Sequence, residues 1–312
     1  MNKNIILTGS LAFDYIFDIP DPFTKYILPT QIHKINVSIV TDSHRRSNGG
    51  TAGNQAFYLA RLGLSPMIFT TAGNDFNDYK KFLKKNRVIT NYIKINNNLP
   101  TAAGFVMTDP KDNQIWMFAT GAMKDAKNLK LNSSRLARTL KNSFILISPT
   151  ELTAMSNYVK DCVKLNLDFA FDPAFFIPHF SPEILSLGVK KAKIIFGNDY
   201  EIAFMEKRLN QKITGLINKD QIVVKTLGDK GSEIFQNGKW IKIPVYKTKT
   251  VDPTGAGDAY RAGFLFGYLQ SLPVKTCGLM GAVTASFAVE IKGTMNLKFN
   301  KNNFKVRLSK IK

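Results

Sequence analysis

Within this 312-residue sequence, the stretch whose residue types most directly suggest chemistry is Val251-Asp252-Pro253-Thr254-Gly255-Ala256-Gly257-Asp258. It reads as a loop, a glycine turn and the start of a helix. The glycines let backbone approach a ligand closely, and the first N–H groups of a helix have no internal partner. Gly255, Ala256 and Gly257 are therefore expected to donate N–H groups to an anion. Asp258, in the first turn, would face that anion and could take a proton from a hydroxyl attacking a phosphoryl group. An acidic residue there also suits plain helix capping, and a short glycine motif alone does not separate the two.

Other polar clusters lie far from this one in sequence. Gly49-Gly50-Thr51-Ala52-Gly53-Asn54 opens a helical pattern, and Asp14 follows the first apolar run. Asn198 and Glu201 have the spacing of a capping box, and Thr226-Leu227-Gly228-Asp229-Lys230-Gly231 closes an apolar run as a tight turn. G-x-x-x-x-G-K-[ST], H-R-D, D-F-G and H-E-x-x-H are all missing, as are the Rossmann glycines after the first strand. A P-loop enzyme, a protein kinase and a zinc hydrolase of familiar type are thereby excluded.

These residues need a scaffold, and the apolar pattern supplies one. Asn4 to Thr8, Pro66 to Thr70, Phe144 to Ser148, Leu167 to Phe171, Lys193 to Phe196 and Gln221 to Leu227 read as buried strands. Helical patterns alternate with them: Thr51 to Leu62, ending at Gly63, Tyr200 to Leu209, and Ala282 to Gly293. This predicts one α/β domain over residues 1–312, with a mostly parallel sheet flanked by helices. Residues 14–47 and 99–121 interrupt the rhythm and are expected to form a small β-sheet lid over the carboxyl edge of the main sheet. Asn237-Gly238 between apolar runs predicts a hairpin.

The net charge of +20 raises nucleic-acid binding, but the lysines are scattered rather than gathered on one stripe, so nucleic acid is not the expected partner. No apolar run reaches membrane-span length, and none resembles a signal-peptide core. Cys162 and Cys277 stand far apart without metal-site spacing, which suits reduced thiols in a cytoplasmic protein.

Taken in order, Gly9-Ser10 with Asp14, the glycine-pair helix ending Ala60-Arg61-Leu62-Gly63, Asn198-x-x-Glu201, Thr226-Leu227-Gly228 and the Asp258 loop resemble the ribokinase-like (PfkB) carbohydrate and nucleoside kinases. The resemblance spans nearly the whole chain. It implies a ribokinase-like fold and an ATP-dependent kinase with Asp258 as base. Asp14, Gly49, Gly50 and Asn54 would bind the sugar portion of the acceptor. Asn198, Thr226, Gly228 and Gly231 would lie at the ATP phosphates. Asn198 and Glu201 would position Mg2+ through water, and Asp252 matches a monovalent-cation (K+) site in some relatives. The pattern is most similar to the microbial adenosine kinase-like branch, which implies adenosine or another nucleoside as acceptor, with Phe13, Phe105, Trp116 and Phe118 available to stack on a base. Ribose, fructose or a phosphosugar is the alternative, the last through Arg45 or Arg46. A catalytically silent nucleotide-binding or nucleic-acid-binding protein is a further one. Monomer and homodimer both remain open.

Overall fold

The computed structural model describes residues 3–41, 44–111, 113–297 and 299–311. In chain order its first strands are β1 (Asn4–Leu7), β2 (Ala12–Asp18), β3 (His44–Gly49), β4 (Met67–Ile68), β5 (Thr70–Gly73), β6 (Ile93–Asn96), β7 (Ala102–Thr108) and β8 (Gln114–Ala119). They are followed by β9 (Ser143–Ile147), β10 (Phe169–Phe171), β11 (Ile194–Asn198), β12 (Ile222–Thr226), β13 (Ser232–Gln236) and β14 (Lys239–Ile243).

Eight of these form the main sheet in the order β14-β13-β12-β11-β10-β9-β1-β4. Pairing is parallel from β4 through β12 and antiparallel for β12-β13-β14. Helices cover both faces, which is why the central strands carry unbroken apolar runs, such as Ile194-Ile195-Phe196 and Ile222-Val223-Val224, rather than alternating ones. Ile5 and Leu7 enter one core cluster while Ile6, between them, enters the other. Burying a side chain of this size contributes about 1.5–3 kcal/mol, so the two cores fix the register of β1 and with it the position of the polar residues that follow.

The run Pro66 to Thr70 does not form one strand. Met67 and Ile68 pair with β1, whereas Thr70–Gly73 turns away to pair with β6 in a separate two-stranded sheet. The helix expected over Ala282 to Gly293 also differs: it runs Val274–Ala288, Gly293 lies beyond it at φ 81°, and a further helix, Lys301–Lys310, follows. The hairpin forms as its turn chemistry requires, with Asn237 and Gly238 at φ 51° and 77° joining β13 to β14. Cys162 and Cys277 are both buried and free. Among the described residues no helix is long and apolar enough to cross a membrane.

A second sheet of four strands, ordered β3-β2-β7-β8, is built from the two segments that break the α/β rhythm. Side chains alternate between its faces. The register puts Asp14 opposite Ser47 and Gly104, and Val106 opposite Trp116. Asp14, Ile16, Arg45, Ser47, Val106 and Trp116 share the face that borders a cavity of about 630 Å³. Phe13, Tyr15, Arg46 and Phe105 occupy the opposite face.

Candidate active site

The helix Ala256–Tyr268 begins at Gly255, whose φ of 78° lies in the left-handed region. A Cβ at Gly255 would also stand 2.8 Å from Thr294 Cγ2, so glycine is required for both backbone and space. The Ala256 N–H donates to the Pro253 carbonyl at 3.1 Å, and the Ala259 N–H to Gly255 at 2.9 Å. The N–H groups of Gly255, Gly257 and Asp258 make no hydrogen bond among the described residues. The open donors are thus not the three expected from sequence: the turn consumes Ala256 and leaves the Asp258 amide in its place.

Asp258 is held from a helix 200 residues earlier in the chain. Asn54 Nδ2 donates to Asp258 Oδ2 at 2.8 Å and Gln55 Nε2 donates to Oδ1 at 3.0 Å. Gln55 Oε1 in turn accepts from Ser148 Oγ at 3.1 Å, at the end of β9. Consecutive residues reach one carboxylate because both lie in the first turns of the helix Thr51–Leu62, where Gly50 at φ 86° turns the chain. A Cβ on Gly50 would stand 2.6 Å from the Ala12 nitrogen and the Ser10 carbonyl. Burial pushes the Asp258 carboxyl above its ordinary range, against the pull of Asn54, Arg261 and Gln55. Among the described residues, Asn54 Oδ1 is buried with no hydrogen-bond partner.

Asp14 projects from β2 into a space cleared by two glycines. A Cβ on Gly49 would overlap its Oδ2, and one on Gly104 would stand 3.1 Å from its Oδ1. Burial first, then the charges of Asp258 and Asp252, hold its carboxyl up at about 6. The charge of Asp258 acts on Asp14, so the two carboxyls lie near one another; Asp14 lines the cavity and Asp258 does not.

The other polar clusters meet at the ends of neighbouring strands. Asn198 pairs in register with Thr226 at the carboxyl ends of β11 and β12. Asn198 Oδ1 accepts from the Glu201 N–H and Glu201 Oε2 from the Asn198 N–H, both at 2.7 Å, a complete capping box on the helix Asp199–Leu209. Past Thr226 the chain turns through Gly228 and Gly231, at φ 61° and 89°. Asp252 ties two loops together, Oδ1 accepting from the Thr254 N–H at 2.9 Å and Oδ2 from Gly293 at 3.0 Å.

Sequence reasoning placed Phe105 in the acceptor pocket, and the structure does not. Phe105 stacks on Tyr15 at 5.0 Å on the face away from Asp14, because odd-numbered positions of β7 point outward. Trp116 is the aromatic ring that lines the cavity, with Phe118 two positions along on the same face of β8. The two arginines also separate. Arg45 faces the cavity but is forked onto Asp18 at 2.8 and 3.2 Å, and Arg46 lies over the Phe13 ring at 3.7 Å on the other face. Gln55 and Ser148 were missed altogether. Gln55 was visible as a second amide beside Asn54, but its partner 203 residues away was not.

No group of three or more His, Cys, Asp or Glu side chains able to hold a metal occurs among the described residues. Glu201 keeps one carboxylate oxygen outside its cap, a donor set that fits a hydrated Mg2+ held mostly by water and phosphate and not a protein-made cage.

The family model for pfkB carbohydrate kinases matches residues 25–301. A nucleoside kinase of Methanocaldococcus jannaschii is 32% identical over 297 residues, covering 93% of this chain and 92% of that one. The crystal structure of the M. jannaschii nucleoside kinase superposes with a TM-score of 0.87 at 31% identity, covering 99% of this chain and 98% of that one. A Burkholderia thailandensis nucleoside kinase solved with ADP and inosine gives a TM-score of 0.84 at 25% identity, over 98% and 95% of the two chains.

Proposed function

We propose that this chain, which belongs to the pfkB family of carbohydrate kinases, transfers the γ-phosphoryl group of ATP to the 5′-hydroxyl of a nucleoside, with adenosine as the favoured acceptor. Asp258 takes the proton from that hydroxyl as its oxygen attacks phosphorus and the bond to the ADP oxygen breaks. A carboxylate whose proton affinity is raised by burial is a better proton acceptor near neutral pH than an exposed one. The open N–H groups of Gly255, Gly257 and Asp258 face the charge that spreads onto the phosphoryl oxygens.

Asp14 accepts from ribose hydroxyls, and Asn54 Oδ1 receives one of them. Leaving that buried oxygen without a donor costs about 1–3 kcal/mol, a deficit the acceptor's hydroxyl removes. Gly49 and Gly50 serve the sugar site through what they admit, Gly49 making room for the Asp14 carboxylate and Gly50 for the close backbone of Ser10 and Ala12. Asn198, Thr226, Gly228 and Gly231 line the phosphate end of ATP at the edges of β11 and β12. Mg2+, when bound through water near Asn198 and Glu201, neutralises phosphate charge. K+ is left outside the proposed scheme: each oxygen of Asp252 accepts one backbone N–H and keeps a further lone pair.

The observation that carries the nucleoside reading is the cavity of about 630 Å³ between Asp14 and Trp116. It lies within the roughly 300–1,000 Å³ of pockets that bury drug-sized ligands and leaves space beyond a ribose. Trp116, 46% exposed, presents a ring to that space. The four-stranded sheet acts as a lid that closes on the base and excludes water from Asp258. A phosphosugar would have to compete with Asp18 for the cavity's cations, since Arg45 is forked onto that carboxylate and Lys292 lies 4.0 Å from it, while Arg46 faces away.

The test is a panel of adenosine, inosine, cytidine, ribose, fructose and fructose 6-phosphate with ATP and Mg2+. The expected result is the highest kcat/KM for adenosine and at least 10-fold less for every sugar. A sugar or phosphosugar as best acceptor would overturn the nucleoside assignment.

A further inference from the structure

We propose that Arg261 is a positioning residue of the phosphoryl-transfer site: it joins Asp172 and Glu201 beneath the helix that carries Asp258 and supplies the fixed positive charge that faces that carboxylate. The proposal rests on the reading of Asp258 as base.

Arg261 is out of place by composition. It sits in a helix whose neighbouring positions Ala259, Tyr260, Ala262, Gly263, Phe264 and Leu265 are buried, and it is itself only 8% exposed. Three and four residues after Asp258 and Gly257, it shares their helix face. Helical side chains lean toward the N-terminus, and this one does so far enough that Nη1 stands 2.8 Å from where a Cβ on Gly257 would be. Glycine at 257 therefore leaves room for the guanidinium under the anion-binding turn.

The other nitrogens bind acids from two further elements. Nη2 donates to Asp172 Oδ1 at 2.8 Å, just past the end of β10, and Nε lies 2.5 Å from Oδ2 outside hydrogen-bond geometry. Nη2 is also 4.0 Å from Glu201 Oε2, the oxygen that caps Asn198. One guanidinium thus connects the start of the Asp258 helix, the end of β10 and the Asn198–Glu201 cap.

The charges around Asp258 are otherwise of one sign. Asp14 from β2 and Asp172 from β10 face it as like charges, Tyr58 and Tyr79 face it as neutral hydroxyls, and the helix Thr51–Leu62 offers the neutral amides of Asn54 and Gln55. Arg261 is the cation acting on it. ATP brings more negative charge to the same place. A buried ion pair is a poor device for stability alone, because apolar residues of similar volume usually serve as well. Its retention here follows if the cation has work to do on Asp258.

The experiment compares Arg261→Met, Asp172→Asn and the double variant Arg261→Met/Asp172→Leu, reading Tm, kcat and both KM values, with Asp258→Asn in parallel. Both single variants break the same ion pair and are expected to lower Tm. Only Arg261→Met is expected to lower kcat roughly 100-fold, the scale of losing one preorganised electrostatic contact. Asp172→Asn keeps the cation and should stay within about 5-fold of wild type on the same scale. The double variant should recover Tm without recovering kcat, with acceptor KM little changed. If Arg261→Met does not fold, Arg261→Gln with Asp172→Asn carries the comparison, since the two amides can pair. Equal kcat losses in the two single variants, or wild-type kcat in the double variant, would make the pair purely structural and overturn the proposal while leaving Asp258 as base. Full activity of Asp258→Asn would instead overturn the base and this proposal together.

Discussion

Replacing Asp14 with Asn should make the ligand-free protein more stable and the enzyme worse. The unfolded chain ionises this carboxyl near 3.8, whereas in the folded protein it ionises only near 6. Folding therefore favours the protonated form, and stability is lost as pH rises through that window. The full cost is at most about 3 kcal/mol, of which roughly half has appeared by pH 5 and the remainder by about pH 7. Asparagine carries no such cost. The stability advantage of Asp14→Asn over wild type should grow by about 1.4 kcal/mol between pH 5 and pH 8, or roughly 2 °C in Tm for a chain of this length. Over the same change, kcat/KM for adenosine should fall roughly 100-fold or more, since hydrogen bonds to an ionised partner are worth about 1.5–3 kcal/mol each. Thermal unfolding at pH 5, 7 and 8, with steady-state kinetics at pH 8, reads both effects. A variant less stable than wild type by an amount independent of pH, with unchanged kinetics, would mean that Asp14 has only a structural role within β2.

Asp258→Asn should lower kcat by about 10² to 10⁴ while ATP affinity, measured by calorimetry, stays within a few-fold; near-normal turnover would place the base elsewhere. Glu201→Gln should raise the Mg2+ concentration needed for half-maximal rate more than it raises acceptor KM. Loss of Tm at unchanged Mg2+ dependence would reduce Glu201 to its cap. Trp116→Ala should raise adenosine KM roughly 10-fold, as stacking on an aromatic ring is worth about 1–3 kcal/mol, whereas Phe105→Ala should leave it unchanged and lower Tm; the reverse pattern would mean that the sheet presents its other face to the acceptor.

The main sheet was legible because its parallel strands contain unbroken apolar runs and its turns carry distinctive residues. Gly63 at φ 104° ends the helix Thr51–Leu62, and Asn237-Gly238 closes its hairpin, each as local chemistry demands. The faces of the small sheet were not legible. Three of its strands, β2, β7 and β8, carry aromatic or apolar residues on both sides, so alternation gave no inward direction, and a shift of one position exchanges Phe105 for Val106. The split of Pro66 to Thr70 between two sheets had no local signal either, since both halves are equally buried. Within the candidate site, the residue types were readable but their partners were not. Asn54 and Gln55 meet Asp258 across more than 200 residues, and Arg261 meets Asp172 across 89. Nothing in local sequence records such pairings. The Ala256 amide shows the finer limit, because its use by Pro253 depends on how tightly one turn closes.

The central claim is that the chain phosphorylates the 5′-hydroxyl of a nucleoside, and the product reports on it directly. Phosphorus NMR of a reaction with ATP, Mg2+ and adenosine should show a new phosphomonoester resonance split into a triplet by the two 5′-methylene protons, absent with Asp258→Asn. A doublet from a secondary hydroxyl, or no new ester with any nucleoside while a sugar is converted, would contradict the account.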